Sequence, residues 1–233
     1  MHLFYTPDIT TTLELPQEEA AHALRVLRLT EGDEVMLTDG NGSFYRAEID
    51  VVSGKRCYVC IVETTTPNPL WLGHLHLALA PTKNMDRIEW VAEKATEIGV
   101  DEITFLDCRF SERKVVKTER VEKILVSAMK QSLKPTLPQL NPMIPFMKFI
   151  AQPFAGQKFI AHCYEGEKEP LMQALAPDED ALVLIGPEGD FSPEEVEAAI
   201  AHGFRPITLG KARLRTETAA LVAVHMMNIV HNS

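Results

Sequence analysis

From residue 74 to the C-terminus, short apolar runs alternate with amphipathic stretches, and this rhythm constrains the fold more than any other feature. HLHLALA (74–80), DEITFLD (101–107), KFIAHC (158–163), ALVLIG (181–186) and ITLG (207–210) have the length and composition of buried strands. Between them, NMDRIEWVAEKATEIG (84–99) sets Ile88, Val91, Ala92, Ala95 and Ile98 on one helical stripe and stops at Gly99. RVEKILVSAMKQSL, a short helix around Glu169 to Ala176, PEEVEAAIAHG and TETAALVAVHMMNIV complete the alternation. Strands alternating with helices predict an α/β domain with a mostly parallel sheet covered on both faces. The 134–157 stretch carries Pro135, Pro138, Pro142, Pro145 and Pro153 and is expected to be an irregular connection.

The first 65 or so residues have a different texture. LFYT, DEVMLTDGNGSFYRAEIDVV and RCYVCIVETT read as strands of a small barrel, with DG and NG dipeptides at 39–42 suited to a tight hairpin. One helix is expected from Pro16 to near Gly32, carrying His22, Arg25 and Arg28. TTTPNP (64–69) reads as a linker, which sets the domains at 1–68 and 72–233.

No apolar run approaches the roughly 20 residues of a membrane helix. The N-terminus lacks the pattern of a secretion signal, so a cytoplasmic protein is expected. Cys57 and Cys60 form a CxxC, but on a strand they face opposite ways and no second ligand pair follows; they read as structural thiols, with no metal. A net charge of −10 argues against a nucleic-acid partner until its distribution is considered. Residues 1–73 hold 5 Lys/Arg against 11 Asp/Glu, whereas 108–134 holds 8 against 3. That basic segment suits phosphates, or equally a solvated helix face.

Two segments carry the chemistry. LIGPEGDFSPEE (184–195) places a glycine-rich loop at the end of a buried strand and before a helix, where open α/β sheets bind ligands. Ser192, Pro193 and Glu195 match the N-cap, first helical position and capping-box partner of that helix. The GxGxxG and P-loop spacings are absent, which argues against a phosphate cradle. LGKARLRTETAA (209–220) repeats the layout with Gly210, Lys211, Arg213 and Arg215 in the loop and Thr216 as the expected cap. Its helix is apolar around nearly its whole circumference, which predicts burial in the domain or in a subunit interface.

Together with HALRVLR (22–28), RIEWVAEKATEIGV (87–100) and FSERKVVK (110–117), these segments resemble the RsmE family. These are SPOUT-superfamily enzymes that methylate N3 of a uridine in 16S ribosomal RNA. The resemblance covers the chain from end to end. It implies a PUA-like RNA-binding barrel, a SPOUT α/β domain with a C-terminal trefoil knot, a homodimer, and S-adenosylmethionine as methyl donor. The donor pocket would be lined by His162, Leu184, Ile185, Gly186, Gly189, Leu209, Gly210, Leu214, Arg215, Thr216 and Thr218. The substrate would be 16S rRNA, free or in the 30S subunit; the runner-up is a SPOUT enzyme acting on another RNA position. Two departures stand out: Asp190 where the family commonly has glycine, and Lys134 where it often has arginine.

Methyl transfer to uridine N3 calls for a base and a cation near the uracil. Arg215 is the expected cation, with Glu188 or Glu217 as the base; Glu217 alternatively serves the helix dipole. Arg25 and Arg28, with Arg109, Arg113, Lys114 and Lys117, are expected to position the RNA backbone. His22 reads either as an RNA contact or as a helix histidine satisfying a neighbouring loop.

Overall fold

A computed structural model describes residues 2–232. The chain divides into two compact units. One comprises the residues up to Pro69 together with Val126–Leu137; the other comprises Leu70–Leu125 and the residues from Pro138 onward.

The first unit holds a four-stranded sheet in the order β1 (Leu3–Tyr5), β2 (Glu34–Thr38), β3 (Phe44–Ser53), β4 (Arg56–Thr65). β1 runs parallel to β2, and the other pairs are antiparallel, with register shifts in β3 against β4 that bend the sheet. Phe4, Leu37, Ala47, Ile49 and Cys57 face its core, while Cys60 is exposed, as the strand alternation requires. The single helix expected from Pro16 to Gly32 is a correction. The α-helix spans Gln17–Ala21, a π-helical turn follows over His22–Val26, and Arg28 takes φ 57°, which ends the run well short of Gly32.

The second unit is built on a seven-stranded, wholly parallel sheet. Its strands are β5 (Leu75–Leu79), β6 (Glu102–Asp107), β7 (Gln139–Pro145), β8 (Gln157–Ala161), β9 (Glu169–Pro170), β10 (Ala181–Ile185) and β11 (Arg205–Thr208). The spatial order is β7-β6-β5-β10-β8-β11-β9. Every residue of β5 and β10 is buried, each large side chain contributing about 1.5–3 kcal/mol of apolar burial. β7 and the short helix Phe146–Ile150 occupy the proline-rich stretch expected to be irregular. Pro142 and Pro145 are tolerated because β7 is an edge strand, whose outward N–H groups need no partner.

The Thr216–His231 helix packs on the Met85–Ile98 helix and β5, burying Ala220, Ala223, Val224 and Met227. A Cβ on Gly99 would run into Asn228 of that helix and into Trp71. Ile229 stays exposed and Leu221, Val222 and Met226 are only partly covered, so burial within one chain is incomplete. Among the described residues no helix is long and apolar enough to cross a membrane.

Candidate functional site

Three neighbouring strands end at one level. Ile185 of β10 pairs with Ala161 of β8, and Ala161 pairs with Ile207 of β11, so the loops leaving β8, β10 and β11 emerge side by side. They surround a cavity of about 840 Å³, within the usual range for small-molecule sites. Ile185, Ile207, Leu209 and Leu214 give it apolar wall, and His162, Asp190, Lys211, Arg213 and Arg215 give it polar wall.

The β10 loop is held rigid. Ser192 and Glu195 form the capping box, with Glu195 Oε2 accepting from Ser192 N at 2.8 Å. Glu195 Oε1 accepts from Arg109 N at 2.8 Å, and Glu188 Oε1 accepts from Lys83 N at 2.9 Å, tying the loops after β6 and β5 to it. A Cβ on Gly186 would sit 3.1 Å from Phe191 N and from its ring, so glycine spares this turn a tight contact. Asp190 adopts φ 67°, a left-handed conformation that explains why glycine suits this position. Its carboxylate accepts from Cys163 N and Phe191 N, both at 2.8 Å, and those bonds offset the strain.

The β11 loop is open by comparison. Lys211, Arg213 and Arg215 are exposed, and Gly210 takes φ 130°. Arg215, not Thr216, is the N-cap of the last helix and makes no side-chain cap bond; Thr216 is its first residue and is buried. Glu217 is 8% exposed. Its Oε1 lies 3.1 Å from Arg87 Nη1, while Oε2 is buried with no partner among the described residues. His162 Nδ1 is likewise buried and unpartnered. Burial depresses the His162 pKa, nearby Lys168 adds to this, and Asp190 opposes it, favouring a neutral ring.

Most residues expected at the pocket line this cavity: His162, Ile185, Gly186, Leu209, Gly210, Leu214, Arg215 and Thr216, with Glu188 and Glu217. Three do not. Leu184 is buried inside β10, Gly189 backs onto Phe110, and Thr218 is exposed on the helix. Arg87 also lines the cavity, and sequence reasoning missed it. The only signal was a cation in the first turn of a helix, which does not announce a partner 130 residues away.

Several cations expected on RNA are engaged by the protein. Arg109 pairs with Glu194 at 3.2 Å, Arg113 donates to the carbonyls of Thr82 and Lys83, and Lys114 donates to Asp107 at 2.7 Å. Lys117 is exposed, as are His22, Arg25 and Arg28 in the first unit, where His22 packs edge-on to Phe4.

Residues 68–228 match the family described as RNA methyltransferase domain, and residues 15–62 match RNA methyltransferase PUA domain. The chain belongs to the RsmE family of RNA methyltransferases. A probable rRNA-methyltransferase from Porphyromonas gingivalis superposes with a TM-score of 0.94 at 45% identity, covering 99% of this chain and 98% of that one. A ribosomal RNA small subunit methyltransferase E from Neisseria gonorrhoeae, solved bound to S-adenosyl methionine, gives 0.87 at 27% identity over 99% and 98%. The enzyme of the same name from Synechocystis is 29% identical over 97% of this chain and 75% of that protein. RsmE membership thus fits both units: the PUA match falls in the first, and the methyltransferase match covers the cavity-bearing second.

Proposed function

We propose that this chain methylates N3 of a uridine in 16S rRNA of the small ribosomal subunit, using S-adenosylmethionine, as a cytoplasmic homodimer. The observation that carries the reading is the cavity at the ends of β8, β10 and β11, in a chain that pairs it with a PUA-type unit. Its residues fit the methyl donor. Gly210, with open space where a Cβ would stand, lets backbone approach a ligand, the apolar wall suits an adenine ring, and His162 Nδ1 is a buried polar atom without a partner among the described residues. When bound, the donor supplies an electrophilic methyl on a sulfonium sulfur.

The remaining tasks fall to side chains. Glu217 belongs to the cavity lining and keeps one buried oxygen without a partner among the described residues; it takes the N3 proton, while Glu188, whose Oε1 holds Lys83 N, serves the loop. Arg215, exposed at the rim, stabilises the charge that develops on the uracil carbonyls. Exposed Arg25, Arg28 and Lys117 meet the RNA backbone, and exposed His22 belongs to the same segment as the two arginines. The partly covered face of the Thr216–His231 helix supports a homodimer interface, and the β10 and β11 loops are the segments through which a trefoil knot would thread. The chain passes from the first, RNA-binding unit to the second near 68–72, and Val126–Leu137 returns to the first.

Mass spectrometry of 16S rRNA from a strain lacking this gene is expected to show loss of N3-methyluridine; retention overturns the assignment. Calorimetry with S-adenosylmethionine tests the pocket independently, and absence of binding by folded protein excludes the enzyme reading.

A further inference from the structure

Arg87 sits at the first turn of the Met85–Ile98 helix, well away in sequence from the loops of the site, yet its guanidinium lines the same cavity. Nη1 lies 3.1 Å from Glu217 Oε1, and the side chain is 38% exposed. Of the other lining carboxylates, Asp190 is committed through both oxygens, to Cys163 N and Phe191 N, and Glu188 is exposed and holds Lys83 N through Oε1. Glu217, 8% exposed, keeps one oxygen without a partner, a state that costs free energy until a donor arrives. Arg87 and Glu217, both lining the cavity, therefore set a cationic donor beside a carboxylate whose second oxygen is buried and unmatched among the described residues.

We propose that this pair contacts the edge of the target base, and that Arg87 is a further catalytic residue that stabilises the charge developing on uracil. Uracil N3–H is a donor flanked by two carbonyl acceptors. Glu217 Oε2 accepts the N3–H while Arg87 donates to one adjoining carbonyl oxygen. As the proton passes to Glu217, the negative charge left on N3 spreads onto that carbonyl, next to the guanidinium. The N3 electron pair then forms the new N–C bond, and the S–C bond breaks with its electrons remaining on sulfur as a neutral thioether. Cytosine has no proton at N3 and would leave the carboxylate unpaired. This inference rests on the N3-uridine reading above.

The test compares the unaltered chain, Arg87→Ala and Arg87→Lys on a 16S rRNA fragment transcribed with uridine or with 5-fluorouridine, whose N3 is more acidic. On uridine, Arg87→Ala is expected to lower kcat on the order of 10²-fold, as loss of one charge-stabilising donor does. Arg87→Lys retains part of the rate. On 5-fluorouridine the Arg87→Ala deficit shrinks at least about tenfold, because the anion needs less help. Affinity for S-adenosylmethionine, measured by calorimetry, falls by far less than the rate on uridine. Equal deficits on both RNAs, or a parallel loss of donor affinity, would reduce Arg87 to a structural support and overturn the proposal. If the unaltered chain makes no N3-methyluridine, the underlying reading has failed as well, a result distinct from either of those.

Discussion

The two ends of the seven-stranded sheet both gather histidine and glutamate, and they treat them in opposite ways. At the strand starts, His74 Nε2 donates to Glu102 Oε2 at 2.8 Å, Asn141 donates to Glu102 Oε1 and to Thr104, and His76 Nε2 lies 2.8 Å from Thr104 Oγ1. The network closes on itself. The hydrogen bond to Glu102 raises the His74 pKa, and burial pushes His76 down to about 4. At the strand ends, Glu217 Oε2 and His162 Nδ1 are buried and unmatched. A satisfied network contributes stability and has nothing left to offer a ligand; an unsatisfied one costs stability and keeps its capacity for a substrate.

The contrast can be broken from either end. The largest effect is expected from Glu217→Gln, which removes the proposed base: single-turnover methylation falls on the order of 10²- to 10⁴-fold, while the denaturant midpoint moves little. A comparable drop in stability would mean that Glu217 is structural. At the closed end, pH is the probe. His76 is neutral when folded and has an ordinary pKa near 6.5 when unfolded, so only the unfolded chain gains its proton between about pH 6.5 and pH 4. Stability contributed by the buried ring is complete above that window and is lost as pH falls through it, by up to about 3 kcal/mol. Unfolding curves across that range check this, and His76→Gln flattens the dependence. Glu102→Gln weakens the bonds to His74 and is expected to cost about 1–3 kcal/mol of unfolding free energy with methyl transfer intact. The smallest change sharpens the comparison inside the site. Asp190→Gly relieves the φ 67° strain but removes two side-chain bonds, for a net change within about 1 kcal/mol by thermal unfolding.

How much of this was legible in the sequence depended on whether a residue's role is set locally. Ser192, Pro193 and Glu195 announced their capping box because cap, first turn and partner lie within four positions. Buried β5 and β10 announced themselves as apolar runs. β7 did not, because its prolines mimic a loop and are acceptable only at an edge, which is a property of the sheet order. The end of the first helix was misread because a π turn and a left-handed Arg28 carry no compositional mark. Membership of Val126–Leu137 in the first unit rests on tertiary bonds such as Lys130 to Glu19, which no periodicity encodes. In the site, glycines marked the loops, yet the engagement of Arg109, Arg113 and Lys114 by the protein was invisible in a charge count.

The two backbone anchors of the β10 loop, Lys83 N on Glu188 and Arg109 N on Glu195, join residues 105 and 86 positions apart. Closures this long carry more loop entropy than a local turn and depend on the sheet that brings their ends together. A nascent or truncated chain can therefore hold every glycine of the β10 and β11 loops and still lack a formed pocket. Competence to bind the methyl donor becomes a report that the strands from β5 to β11 have all found their places.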